Sequence, residues 1–182
     1  KNKRIQYYGM RFLKLFLAPS LLLLLLQSSS CKVKYDFSGG RKFDDSVTVS
    51  ILMFTNSAAL TKATFPQTIS EAMRDAIQRQ TRLISIAKQG DLNYEGTITG
   101  YAVAPVAIQG GGNNEATVNR LSVTVNVKYT DSVDEKYNFE SLFTRFSDFQ
   151  SSQNLSAVED QLLKEIADQL VQDIMNKSIN AW

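Results

Sequence analysis

The chain has 182 residues, with 20 basic and 18 acidic side chains, one cysteine and no histidine. The missing histidine rules out Ser-His-Asp and Cys-His catalytic arrangements and the usual transition-metal ligand, and a lone cysteine cannot form an internal disulfide. The first thirty residues hold five bases (Lys1, Lys3, Arg4, Arg11, Lys14) and no acid, so the rest has 15 bases against 18 acids, a net of −3 in place of the apparent +2; nucleic-acid binding thereby loses its electrostatic support.

The leader has the layout of a secretory signal. The basic stretch is followed by an apolar block, Leu15 to Leu26, with six consecutive leucines, then Ser28, Ser29, Ser30 and Cys31. A cysteine directly after such a cleavage site points to a bacterial lipoprotein whose acylated thiol (palmitate among the chains) becomes the mature N-terminus. Ser28 stands where a lipobox usually has an aliphatic residue, and the alternative is an ordinary signal followed by a free thiol. The apolar block falls short of the ~20 residues needed to span a bilayer, and Pro19 interrupts it. Met10 opens a more conventional signal, so residues 1–9 can lie upstream of the true start. The expected organisation is a removed signal over 1–30, a lipidated tether over 31–46 and a single α/β domain over 47–182. A mature chain of 152 residues buries roughly 68–70% of its unfolded surface.

Val47 to Phe54 is β-branched and apolar on both faces, which predicts a buried strand. Thr64 fits an N-cap, with Pro66 in the first turn and Gln67 at the capping-box position. Phe65, Ile69, Ala72, Met73, Ala76 and Ile77 recur at three- and four-residue spacing, so Pro66 to about Gln80 is an amphipathic helix. Leu92, Tyr94 and Ile98 alternate with polar residues, but past Gly100 the apolar set moves to Tyr101 and Val103, which predicts a β-bulge.

Gly110, Gly111, Gly112 and Asn113 then form a loop between strands. With no helix after it and no lysine nearby, it is not a phosphate cradle, and it is a candidate contact loop for a partner. Leu121, Val123, Val125, Val127 and Tyr129 alternate strictly with polar residues in the cleanest strand of the chain. An acidic turn (Asp131, Asp134, Glu135) leads to a third strand, Tyr137 to Phe146. In it Phe139 and Phe143 share a face, while Phe146 and Phe149 break the period at its end. Ser156 and Glu159 suggest a capping box for a final helix reaching about Lys177. The fold class is α+β: a two-layer α/β sandwich, an about four-stranded sheet with two helices, in the order β-α-β-β-β-α.

No catalytic constellation emerges. Asp131, Asp134 and Glu135 lack the EF-hand spacing and suit a solvated turn, so no metal and no cofactor is expected. A carboxylate hydrolase would need two of Asp131, Glu135, Glu140 and Asp148 to converge. Arg120, Lys128 and Arg145 lie on or beside neighbouring strands. If they share the polar face they form a cationic strip able to meet phosphates or acidic groups; a solvated face laced with the local acids is the alternative.

CKVKYDFSG at the mature start, GDLNYEGTITGYAVAPVAI, NRLSVTVNVKYTD, FESLFTRFSDFQSS and the closing VEDQLLKEIADQLVQDIMNKSINAW together make the chain resemble the LPS-assembly lipoprotein LptE family, in its Bacteroidota-type branch. The resemblance covers essentially all of residues 31–182 and preserves element order. It implies a non-catalytic outer-membrane lipoprotein that plugs the LptD β-barrel, assists its assembly and serves lipopolysaccharide transport. It also implies membrane attachment through the lipid anchor and lipopolysaccharide as a further partner; no nucleic-acid partner is expected, on the net charge of −3 alone. Lys32 follows the cysteine where an acidic export signal would sit in this branch, which favours the periplasmic side. The resemblance numbers no lipopolysaccharide-contacting residue; Arg120, Lys128 and Arg145 are chosen on physical grounds alone. The competing reading is a free-standing outer-membrane lipoprotein with an apolar pocket for a small ligand or glycan between sheet and helices.

Overall fold

A computed structural model describes residues 41–106 and 118–180. Cys31, the loop Gly110–Asn113 and Trp182 lie outside the described residues. In chain order the elements are β1 (Thr48–Ile51), β2 (Thr55–Asn56), α1 (Phe65–Gln80), β3 (Ile84–Ile86), β4 (Leu92–Val106) and β5 (Val118–Asp131), followed by a 3-10 turn (Glu135–Tyr137), β6 (Phe139–Gln150) and α2 (Leu155–Ser178). The strands form one sheet in the order β3-β1-β4-β5-β6, with β2 also on β4. The α+β class and the two helices stand as expected. The sheet has six strands in place of about four, because β2 and β3 are two- and three-residue strands too short to show a period. Both run parallel to their neighbours, as does β1 to β4 across the α1 crossover, while β4, β5 and β6 form the antiparallel meander.

The 24-residue α2 spans about 36 Å. Its apolar stripe (Leu162, Ile166, Leu170, Ile174) and that of α1 (Phe65, Ile69, Met73, Ile77) close on one face of the sheet, against Val49, Tyr94, Leu121, Val123, Val125 and Tyr129, in a single buried cluster. Among the described residues, no helix covers the other face. The β4–β5 register shifts between Ile98 and Gly100, where the change of apolar phase predicts it.

Two helix caps differ from expectation. Thr64 has helical backbone angles and makes no side-chain cap; its carbonyl accepts from Thr68 Oγ1, and Gln67 donates to Glu71. Pro66 already removes one of the N–H groups a cap would satisfy. The final helix begins one residue earlier than Ser156, because Asn154 caps it, accepting from Ser156 N at 3.1 Å. Glu159 is thereby freed from a capping box and accepts from the Tyr101 hydroxyl at 2.6 Å. Burial, then the Glu159 bond, pushes that phenol above its ordinary range.

The compact unit includes residues assigned to the tether. Arg41 N donates to the Ile179 carbonyl at 3.0 Å, and Phe43 packs against the core. Fixed structure therefore begins before Val47.

Candidate functional site

Strand parity decides which side chains reach solvent. On β5 the odd residues from Leu121 to Asp131 are buried toward the helices, so Arg120, Ser122, Thr124, Asn126 and Lys128 face the open side. Register then places Asn93, Glu95, Thr97, Ala102 and Ala104 of β4, and Glu140, Leu142, Thr144, Phe146 and Asp148 of β6, on that same face. It is a hydroxyl- and amide-rich surface bridged by Thr124–Thr144 (2.9 Å), Thr55–Thr97 (3.0 Å) and Asn126–Glu140 (2.7 Å) contacts.

The three proposed cations do not form one strip. Arg145 pairs in register with the buried Val123, so it lies on the helix-covered face. There it forks onto Asp173 of α2 through Nε and Nη2, at 2.5 and 2.6 Å. The open face does hold Arg120 and Lys128, but eight residues of β5 separate them by about 26 Å. Arg120 grips Asp148 in a bidentate pair (2.7 and 2.9 Å) and lies over the Phe146 ring, 3.6 Å from its centroid. Lys128 stands between Glu95 and Glu140 in register and makes no salt bridge among the described residues.

The acidic turn is less solvated than its composition suggests. Asp131 continues the buried odd phase of β5 and has no exposed side-chain surface. Arg41 meets it at 2.6 Å, the N–H groups of Val133 and Asp134 donate at 2.9 and 2.8 Å, and the Tyr129 hydroxyl donates at 3.2 Å. The Tyr94 hydroxyl shares a 2.8 Å hydrogen bond with Ser178 Oγ, and the Tyr94 and Tyr129 rings stack on into Phe139 and Phe143. Burial pushes both phenols above the ordinary tyrosine range, so they stay neutral. Arg41 caps the cluster, packed over Tyr137 at 3.7 Å. This buried polar network is the most specific chemistry in the domain. The missed signal for Asp131 was its phase, the sixth odd position of a run already dry at Leu121 through Tyr129.

The carboxylates of the hydrolase reading do not converge. Asp131 is locked on the helix side, while Glu140 and Asp148 sit eight residues apart on the opposite face of β6. Among the described residues no cluster of three His, Cys, Asp or Glu could hold a metal. Side chains of both helices and of the sheet meet in one buried cluster between the layers. One groove opens on the helix-free face over Met53, Thr97, Asn126 and Lys128, and another at the end of the sheet beside Arg41 and Tyr137.

Several carboxylates are held below their usual range. Asp91 accepts the Thr48 hydroxyl and N–H at 2.7 and 2.8 Å, Arg120 lowers Asp148, and the Ser147 hydroxyl lowers Glu165. A lowered folded-state value means that the stability these groups contribute is complete above about pH 4–5 and is lost as pH falls through the lower folded values. Thermal unfolding should therefore be flat from pH 6 to 7 and fall steeply below about pH 4. Asp148→Asn should make that acid limb shallower while moving the midpoint at pH 7 only slightly, because the Arg120 pair is exposed.

No curated protein matches the sequence. Solved structures with similar folds include a minor lipoprotein from Acinetobacter baumannii (14% identity, 68% of this chain and 89% of that one, TM-score 0.42) and the rare lipoprotein B from Shewanella oneidensis (11%, 70% and 91%, TM-score 0.44). Another is an uncharacterized lipoprotein B from Nitrosomonas europaea (18%, 75% and 88%, TM-score 0.39). The family model described as "LptE: Lipopolysaccharide-assembly" matches residues 46–178, from just before β1 to the last residue of α2. The chain belongs to the lipopolysaccharide-assembly LptE family.

Proposed function

We propose that the chain is an outer-membrane lipoprotein, anchored through an acylated Cys31 on the periplasmic side. In this role it plugs an LptD-type β-barrel and assists its assembly for lipopolysaccharide transport. The observation that carries this reading is the family match over residues 46–178, which includes every strand and both helices. The surface agrees with it. A guest in a polar, water-filled barrel lumen needs polar outer faces, and this domain has one on each side. Gln161, Lys164, Asp168 and Gln172 of α2 point outward, and Ser122, Thr124 and Asn126 line the open sheet face. In this reading the protein performs no reaction, which fits carboxylates that are dispersed or locked in ion pairs. Arg120 and Lys128 remain the candidates for lipopolysaccharide contact on the open face, with the loop Gly110–Asn113 as a partner contact.

Depletion of the protein should lower the level of folded barrel and make cells permeable to large hydrophobic antibiotics. Unchanged barrel assembly after depletion would overturn the reading. Cys31→Ser should yield an unprocessed or soluble protein. If the variant still fractionates with the outer membrane, lipidation is not the anchor.

A further inference from the structure

β6 ends the sheet, and its outer edge has no partner among the described residues. The backbone direction of that edge follows from bonds two strands away. The carbonyls of Tyr94 and Ile98 accept from Leu52 N and Ser57 N, so the even residues of β4 turn toward β1 and β2, and its odd residues bond β5. Alternation across Glu95–Lys128 and Thr97–Asn126 turns the even residues of β5 toward β4 and its odd residues toward β6. The even residues of β6 (Glu140, Leu142, Thr144, Phe146, Asp148) then aim their N–H and C=O groups out of the sheet. Gln150 N, bonded to Gln153 Oε1 and not to β5, fits this parity.

The same even residues carry the open-face side chains. Leu142 is 67% and Phe146 43% exposed, four residues apart on one face of this edge strand. Natural edge strands are usually protected by bulges, prolines or free charges. β6 has twelve paired residues without a register break and no proline, and its charges are engaged elsewhere: Arg145 by Asp173, Asp148 by Arg120 and Glu140 by Asn126. On the helix side, Ser141–Lys177, Arg145–Asp173 and Ser147–Glu165 contacts stitch β6 to α2. An added strand would meet the partly buried Phe143 beside Ser141 and Arg145 there, and the exposed Leu142 and Phe146 on the other face.

We propose that the β6 edge is a docking site for an extended segment of a partner polypeptide, added antiparallel or parallel as a further strand of the sheet. The matching segment alternates, with apolar residues beside Leu142 and Phe146 and, toward α2, small residues that fit beside Phe143 and Arg145. The inference deepens the barrel-partner reading and rests on it for the partner's identity, but the edge itself is defined by this chain alone.

The test is site-specific photocrosslinking of the full chain in cells, with p-benzoylphenylalanine in place of Leu142 on the edge or Gln169 on the exposed side of α2. Leu142 should give an adduct mapping to an alternating extended segment of the outer-membrane barrel that depends on the outward N–H of residue 144, whereas any adduct from Gln169, which faces the lumen in the plug reading, should not depend on it. Thr144→Pro removes one outward N–H without touching a β5–β6 ladder bond. It should reduce the adduct about tenfold, as loss of one or two main-chain hydrogen bonds at an interface predicts, with the melting temperature nearly unchanged. Thr144→Val keeps the N–H, loses the Thr124 hydroxyl contact and should retain the adduct. Undiminished adduct in Thr144→Pro, an adduct mapping to a helix, or an adduct between two copies of this chain would overturn the proposal. If the barrel co-purifies normally with Thr144→Pro, the edge proposal fails while the plug reading stands. If the adduct is an alternating segment of a different protein, the edge stands and the plug reading fails.

Discussion

Asp131→Asn should destabilise the domain by about 3–5 kcal/mol, lowering the melting temperature by about 10–20 °C. The variant keeps a side-chain oxygen for the N–H groups of Val133 and Asp134 but leaves the Arg41 guanidinium, 10% exposed, without its 2.6 Å carboxylate partner. An uncompensated charge held among Phe43, Tyr129 and Tyr137 is the costly outcome. The double variant Arg41→Met with Asp131→Asn removes that charge and should recover most of the loss, although the contact to the Ser178 carbonyl goes with it. Urea unfolding of the wild type, both single variants and the double variant measures this. A double variant as unstable as Asp131→Asn alone would show that the turn matters and the ion pair does not.

Gly96→Ala should be the second costly change. A Cβ at Gly96 would stand 2.1–2.6 Å from three carbons of the Phe54 ring. That ring cannot step aside easily: it is 2% exposed, and the Phe54 N–H is held by Ser70 Oγ at 2.9 Å. Overpacking of this kind costs about 1–3 kcal/mol. Phe54→Leu makes room while losing its own packing, so the pair Gly96→Ala with Phe54→Leu should be destabilised by less than the sum of the singles, with a coupling of about 0.5–3 kcal/mol. Additive effects would mean that the ring is not what keeps residue 96 a glycine.

These two sites show where sequence reading stops. The stripes of α1 and α2, the alternation of β5 and the bulge beside Gly100 were legible because each repeats over several residues on one element. The glycine at 96 looked like an ordinary strand position; its reason is a ring forty-two residues earlier. Arg41 looked like part of a polar tether, and nothing local links it to Asp131, ninety residues away. β2 and β3 were missed because they are held by β4 and β1, not by any period of their own.

The phenylalanines of β6 divide for a similar reason. Phe139, Phe143 and Phe149 are in one phase, and Phe149 is buried; Phe146 alone faces the open side. Arg145 shares the phase of the buried set, which puts it against Asp173 and out of any strip with Arg120 and Lys128. Counting parity from Phe143 would have placed both correctly. In the functional reading, the family resemblance was legible along the whole chain, whereas the docking edge depends on strand order, which single-chain patterning does not specify.

If this LptE-family protein works as the proposed stoichiometric partner of an outer-membrane barrel, the two should leave the membrane together. The most direct measurement is affinity purification of the full, membrane-attached chain from detergent-solubilised outer membranes, followed by identification and quantification of what remains bound. One β-barrel of the lipopolysaccharide exporter per copy of this chain, stable to salt, is the expected result. A chain recovered alone, with the barrel intact in the unbound fraction, would contradict it.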